Sequence, residues 1–244
     1  MQLIKSAWLW ISFSILLLGL DQYLYFVGVT PAPKYLTFTW LGSAVLLFAH
    51  GTKTVELINN RIVIWSIVYF GIATLWMPLA WNTFVDKEFT NVITTVIFTC
   101  TSCFVLSHVK PATMRAILRV CLVISVASIV YDMMYPNVMI TDQDLVDPDS
   151  INISGRASGF YVNPNNAGLA TSMMATCLVL LDSRRNALLY MCLALVGILL
   201  TFSRGAIAGW IMIMSFFAMS NRMPRGTGLM LVVLIAVFTY LVKI

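Results

Sequence analysis

Two short stretches carry the side chains whose types and spacing could do chemistry. Residues 155–168 read GRASGFYVNPNNAG, and residues 201–205 read TFSRG. Arg156 supplies a planar, permanently charged fork that matches phosphate oxygens. The run Asn163, Pro164, Asn165, Asn166 has the composition of a helix start. Asparagine is a good N-cap, and proline is tolerated in the first turn because its missing N–H would have no partner there. Free backbone amides at such a start, together with the helix dipole, favour an anion. Arg204 offers a second fork, and Gly205 beside it is expected to permit a tight reversal of the chain. The chemistry these residues suggest is the holding of a phosphate or diphosphate. Each also has a plainer reading: a capped helix with an arginine among lipid headgroups, and an arginine that snorkels to them.

The elements that position these residues are apolar segments. The chain has 244 residues, 60% hydrophobic and 10% charged, against roughly 25% charged in a soluble domain. The apolar residues come in blocks near the length needed to cross a hydrocarbon core of about 30 Å. These blocks predict an all-α, polytopic membrane protein forming a single transmembrane helical domain over 1–244. About nine transmembrane helices are expected, at 7–28, 35–50, 62–81, 89–108, 115–134, 165–181, 186–202, 205–220 and 227–243. The first block is too long for a signal peptide, and no small-residue cleavage site follows it. No internal repeat or low-complexity tract is evident.

Orientation follows from the placement of lysine and arginine. With the N-terminus cytoplasmic, ten basic residues fall on that side: Lys5, Lys53, Arg61, Lys110, Arg115, Arg119, Arg184, Arg185, Arg222 and Arg225. Five fall opposite: Lys34, Lys87, Arg156, Arg204 and Lys243. Most acids agree, with Asp86, Glu88, Asp132, Asp142, Asp144, Asp147 and Asp149 outside; Glu56 and Asp182 fall in cytoplasmic turns and Asp21 within the first span. The net charge of +5 therefore reads as a topology signal and not as a nucleic-acid surface. This orientation puts Arg156 and Arg204 on one outer face. The gap holding Arg204 is so short that the charge stays at or below the membrane surface, where charges are costly and tend to be functional.

Other reactive residue types point to little. Cys100, Cys121, Cys177, Cys192 and Cys103 lie in apolar blocks and read as small packing residues, although Cys100 and Cys103 form a CxxC. His50 and His108 fall at span ends with no carboxylate cluster nearby, so no metal site is expected. The outer loop of about 135–164 begins acidic and reads as a solvated face, with a weak divalent-ion site as the sharper alternative. Its NIS at 152–154 matches a glycosylation acceptor pattern that three residues often meet by chance.

The ordered pair of motifs, R-x-x-G-x-x-x-N-P-N and then S-R-G about fifty residues later, resembles the O-antigen ligase and polymerase family of bacterial surface polysaccharide assembly. Arg156, Gly159, Asn163, Pro164 and Asn165 match the first motif; Ser203, Arg204 and Gly205 match the second. The resemblance implies an inner-membrane glycosyltransferase with its active face in the periplasm. It implies transfer of a glycan from undecaprenyl diphosphate to the lipid A–core oligosaccharide, with membrane lipids around it and no cofactor, nucleotide sugar or metal. Repeat-unit polymerisation and glycosylation of pilin are the alternatives within the family. By the same resemblance Arg156 and Arg204 bind the diphosphate and stabilise the leaving group, and Asn163 and Asn165 lie in the substrate site. Lys34, near the end of the first outer loop, matches by position a lysine implicated in some ligases; its plain reading is an interface anchor.

The sequence also departs from that family. The base that would take a proton from the attacking sugar hydroxyl, a histidine in a large periplasmic segment, is not found on the outer face. That segment and the last helices are expected to lie beyond residue 244, so the chain as given reads as catalytically incomplete. Two other classes stay open: a transporter or channel, and a scaffold whose arginines hold anionic lipid. Few ionisable residues lie inside the spans, and the paired helix breaks of transporters are not evident.

Overall fold

The computed structural model describes residues 2–30, 61, 64–65, 67–72, 93, 96–97, 99–102, 105–106, 109–135, 138–139 and 156–220. The chain divides into two compact units, Met1–Pro33 with Pro111–Ile244, and Lys34–Lys110. In the second unit the described residues are helical up to Leu106, with Thr101 Oγ1 donating to the Ile97 carbonyl at 2.8 Å.

All the regular elements among the described residues of the first unit are helical. Its elements are α1 (Gln2–Leu17), α2 (Leu20–Phe26), α3 (Pro111–Met134), a 3₁₀ turn (Gly159–Tyr161), α4 (Pro164–Leu181), α5 (Arg184–Leu200) and α6 (Arg204–Met219). The links between α4 and α5 and between α5 and α6 are two and three residues long, short enough to force antiparallel neighbours. So α4 and α6 run parallel, and α3 runs antiparallel to α4, with its end beside the start of α4. The core is Ile117, Leu122, Ile129, Met174, Leu178, Met191, Ile198, Trp210 and Met214, all buried.

The blocks expected at 115–134, 165–181, 186–202 and 205–220 correspond to α3, α4, α5 and α6, with no end shifted by more than four residues. The block expected at 7–28 is not one helix. It breaks at Leu18–Gly19 into α1 and α2, bent by 67°. Gly19 sits at φ 63, in the left-handed region, and a side chain there would lie 2.9 Å from the Tyr161 ring.

The count of nine spans is not matched among the described residues. By length and composition α3 alone is long and apolar enough to cross a membrane, and α1 with α2, taken as one bent span, makes two. Helices α5 and α6 have 17 and 16 residues, about 24–26 Å at 1.5 Å per residue, somewhat short of a hydrocarbon core. The expected spans at 35–50 and 227–243 lie outside the described residues, as do most of those at 62–81 and 89–108.

Candidate functional site

The first motif is built by a loop, a turn and a helix start. Residues 156–158 have no regular structure, and the 3₁₀ turn follows at once. Arg156 is half-buried. Its Nε donates to the Thr201 carbonyl at 3.0 Å, and its Nη2 donates to Asn165 Oδ1 at 2.8 Å. The Ala157 amide donates to the Leu200 carbonyl at 3.1 Å. Ala157 and Tyr161 pack with Ile129 and Ala167 in a small apolar cluster beneath the loop. The Tyr161 hydroxyl donates to the Leu17 carbonyl at 2.7 Å, where α1 ends, and lies 3.1 Å from Ser125 Oγ. Burial holds this phenol well above its usual range, so it stays a neutral donor.

Asn163 is the N-cap of α4, its side chain accepting from the Asn165 amide at 2.8 Å, with Pro164 at the first helical position. Just before it the chain makes a γ-turn. The Asn163 amide donates to the Tyr161 carbonyl across Val162, which sits at φ 63 and ψ −43. That conformation is rare and strained, the more so for a β-branched residue.

The second motif is a reversal followed by a helix start. Ser203 is the N-cap of α6, accepting from the Ala206 amide at 3.3 Å. Thr201 Oγ1 donates to the Ile198 carbonyl at 2.8 Å and accepts from the Ser203 amide at 3.3 Å. Gly205 does not make the reversal, contrary to expectation. It lies inside the first turn of α6, and the left-handed conformation falls on Phe202, at φ 48. A Cβ on Gly205 would meet nothing within 4 Å, so its effect is to leave the start of α6 bare. Val162 and Phe202 are the two non-glycine residues with positive φ among the described residues; Val162 falls inside the first motif and Phe202 immediately precedes the second. Such strain tends to gather at functional sites.

The two helix starts meet. A Cβ on Gly168, one turn into α4, would lie 2.6 Å from Ala206 Cβ, 3.0 Å from Thr201 Oγ1 and 3.5 Å from Ser203 Cβ. Glycine is therefore what lets the first turns of α4 and α6 touch. The positive ends of two helix dipoles converge there, and helix geometry leaves the amides of Asn166, Arg204 and Gly205 without an intrahelical acceptor. Arg204 is exposed and has no hydrogen-bond or ion-pair partner among the described residues. The arrangement can hold an anion: Arg204 is free to turn toward it, while Arg156 is already committed on two of its donor groups.

Sequence reasoning missed the residue that anchors the loop. Asp132, placed among the outer acids, is buried at 5% exposure. Its Oδ2 accepts from the amides of Ser158 and Gly159 at 2.7 and 2.9 Å and lies 3.4 Å from Ser158 Oγ. A carboxylate 26 positions upstream of the loop offers no local pattern by which to find it.

A second polar cluster occupies the opposite end of the same helices. Asp182, between α4 and α5, accepts from Arg115 at 3.4 Å, from Arg119 and Tyr190 at shorter range, and from Asn186 Nδ2 at 3.2 Å. Its side chain is 4% exposed. Burial alone would raise its pKa, but the hydrogen bonds from Tyr190, Arg119, the Ser183 amide and Asn186 outweigh this and hold it below the usual carboxylate range. Arg119 also lies over the Tyr190 ring, 5.9 Å from its centroid.

Lys34 lies outside the described residues, as do His50, His108, Cys103 and residues 140–155 of the outer loop. Among the described residues no group of three or more His, Cys, Asp or Glu side chains could hold a metal ion. No protein-family model, curated protein or solved structure matches the chain.

Proposed function

We propose that this chain supplies the diphosphate-holding part of a multi-pass glycosyltransferase of the bacterial inner membrane, which moves a glycan from undecaprenyl diphosphate to the lipid A–core oligosaccharide at the periplasmic face. The observation that carries the reading is the meeting of the α4 and α6 helix starts at Gly168, with Arg156 and Arg204 beside them. The resemblance of the two motifs to O-antigen ligases supplies the substrate class. The membrane part is supported by the bias of basic residues between the two sides and by large apolar side chains turned outward, such as Leu189, Met212, Phe216 and Met219.

The chemistry suits these groups. When the sugar–phosphate bond breaks, its electron pair leaves with the diphosphate, and negative charge grows on the phosphate oxygens. Donors fixed in advance where that charge develops stabilise it without reorganising. In this reading Arg204 and the open amides of the α6 start meet the diphosphate, Asn165 lies at its edge, and Arg156 both faces it and ties the two motifs together. The acceptor hydroxyl attacks the anomeric carbon and gives up its proton to a base.

The test is deletion of the gene in the native host, with complementation by wild type, Arg156→Ala or Arg204→Ala at matched expression. Lipopolysaccharide is then resolved on gels. Loss of long chains with accumulation of lipid-linked polymer is the expected result for the deletion and both variants. A single-repeat product would move the reading to a polymerase. Wild-type transfer by both variants would overturn it.

A further inference from the structure

The amides of Ser158 and Gly159 point at one oxygen. Ser158 sits at φ −117 and ψ −21, and Gly159 sits at φ 56. Successive N–H groups in such a right-handed, left-handed pair form a concavity that binds anions. A nest of this kind beside an arginine would ordinarily be assigned to the substrate. Here its occupant is the Asp132 carboxylate, at 2.7 and 2.9 Å. The motif glycine therefore serves an internal anion.

The placement of Asp132 is costly. It is buried, and it sits in the last turn of α3, where the helix dipole disfavours negative charge. Among the described residues it has no ion-pair partner. A buried carboxylate in that position is tolerable only because it is hydrogen-bonded, and its partners belong to the loop. The loop is also pressed onto α3 one turn earlier. A side chain at Gly159 would collide with Ser128 Oγ and lie 3.0 Å from the Ile129 amide. Ser158 is two residues from Arg156, in a segment without regular structure of its own.

We propose that Asp132 is the positioning residue for Arg156: by holding the Ser158 and Gly159 amides it fixes the loop on α3 and so aims the guanidinium at the shared α4 and α6 start. The proposal rests on the reading of that start as a diphosphate site. It does not require Asp132 to touch the ligand. Replacing the carboxylate removes two charge-assisted hydrogen bonds, and the loop gains freedom at Arg156 while the helices below it keep their packing.

The experiment compares wild type, Asp132→Asn, Arg156→Ala and the double variant, each as the full chain in lipid nanodiscs. Two quantities are read: amide hydrogen exchange over residues 157–160, and the dissociation constant for undecaprenyl diphosphate. Asp132→Asn should speed exchange at Ser158 and Gly159 by about tenfold or more, with exchange in α4–α6 unchanged. It should weaken the probe by about tenfold and add nothing to the loss already caused by Arg156→Ala. A merely structural role would make the two losses add. Additive losses, or unchanged exchange in Asp132→Asn, would overturn the proposal. Faster exchange in Asp132→Asn, with wild type and Arg156→Ala binding the probe equally, would support the anchoring of the loop while overturning the diphosphate reading. If Asp132→Asn does not give a monodisperse protein, Asp132→Glu, which keeps the charge but displaces the oxygen, carries the same expectations.

Discussion

Arg156 donates through Nε to the Thr201 carbonyl at 3.0 Å, three residues before Arg204. One motif thus grips the turn that presents the other. The two arginines are not equivalent: Arg156 has structural partners on both sides, and Arg204 is exposed and unpaired among the described residues.

Arg156→Ala should therefore lower stability as well as transfer, by roughly 1–3 kcal/mol for the lost hydrogen bonds of a charged donor. Arg204→Ala should abolish transfer or binding with thermal stability unchanged. Thermal melts in detergent beside a transfer assay check this; an equal loss of stability in both variants would refute the division of roles. Arg156→Lys should also fail to restore wild-type transfer, because an ammonium group cannot bridge Thr201 and Asn165 as the fork does.

Gly168 and Gly205 make a second contrast. Gly168→Ala places a methyl group 2.6 Å from Ala206 Cβ, and the helix starts must separate, at a cost of roughly 1–3 kcal/mol. Transfer should fall with it. Gly205→Ala meets nothing within 4 Å and should stabilise α6 by up to about 1 kcal/mol. Denaturation midpoints that rank the variants the other way would show that the close approach is not real.

Tyr161→Phe removes the donor that satisfies the Leu17 carbonyl at the break between α1 and α2. The ring still packs against Gly19, so the loss should be roughly 1–3 kcal/mol, the range for leaving one buried polar group unpaired. Faster hydrogen exchange should be confined to the α1–α2 break and residues 157–163. A uniform rise across α4–α6 would contradict this.

At the other end, Asp182 titrates below the ordinary carboxylate range when folded, its burial outweighed by hydrogen bonds from Tyr190, Arg119, Ser183 and Asn186. A depressed pKa contributes stability at every pH above the unfolded value of about 3.9. That contribution fades as pH falls below it toward the folded value. Asp182→Asn should be less stable than wild type at pH 7, and the gap should narrow as pH drops from about 4. A gap independent of pH would mean the charge of Asp182 contributes nothing.

What the sequence by itself determined is local. Asn163 with Pro164, and Ser203 before Arg204, mark the starts of α4 and α6 because capping needs only a side chain and the amides two or three residues on. The apolar blocks locate α3 to α6 to within a few residues because a continuous run of apolar side chains is written along the chain. The tertiary structure decided the rest. Phe202, not Gly205, takes the left-handed turn, because the packing of Gly168 against Ala206 settles where the chain must reverse. Gly19 breaks the first apolar block, where Tyr161, more than a hundred residues away in sequence, occupies the space of its missing side chain and bonds the freed carbonyl. Asp132 is a buried anchor, and the sequence does not mark it as one because its partners are backbone amides, which leave no trace in the residue type. Contacts between residues far apart in sequence depend on which surfaces meet, and that is settled only when the whole bundle packs.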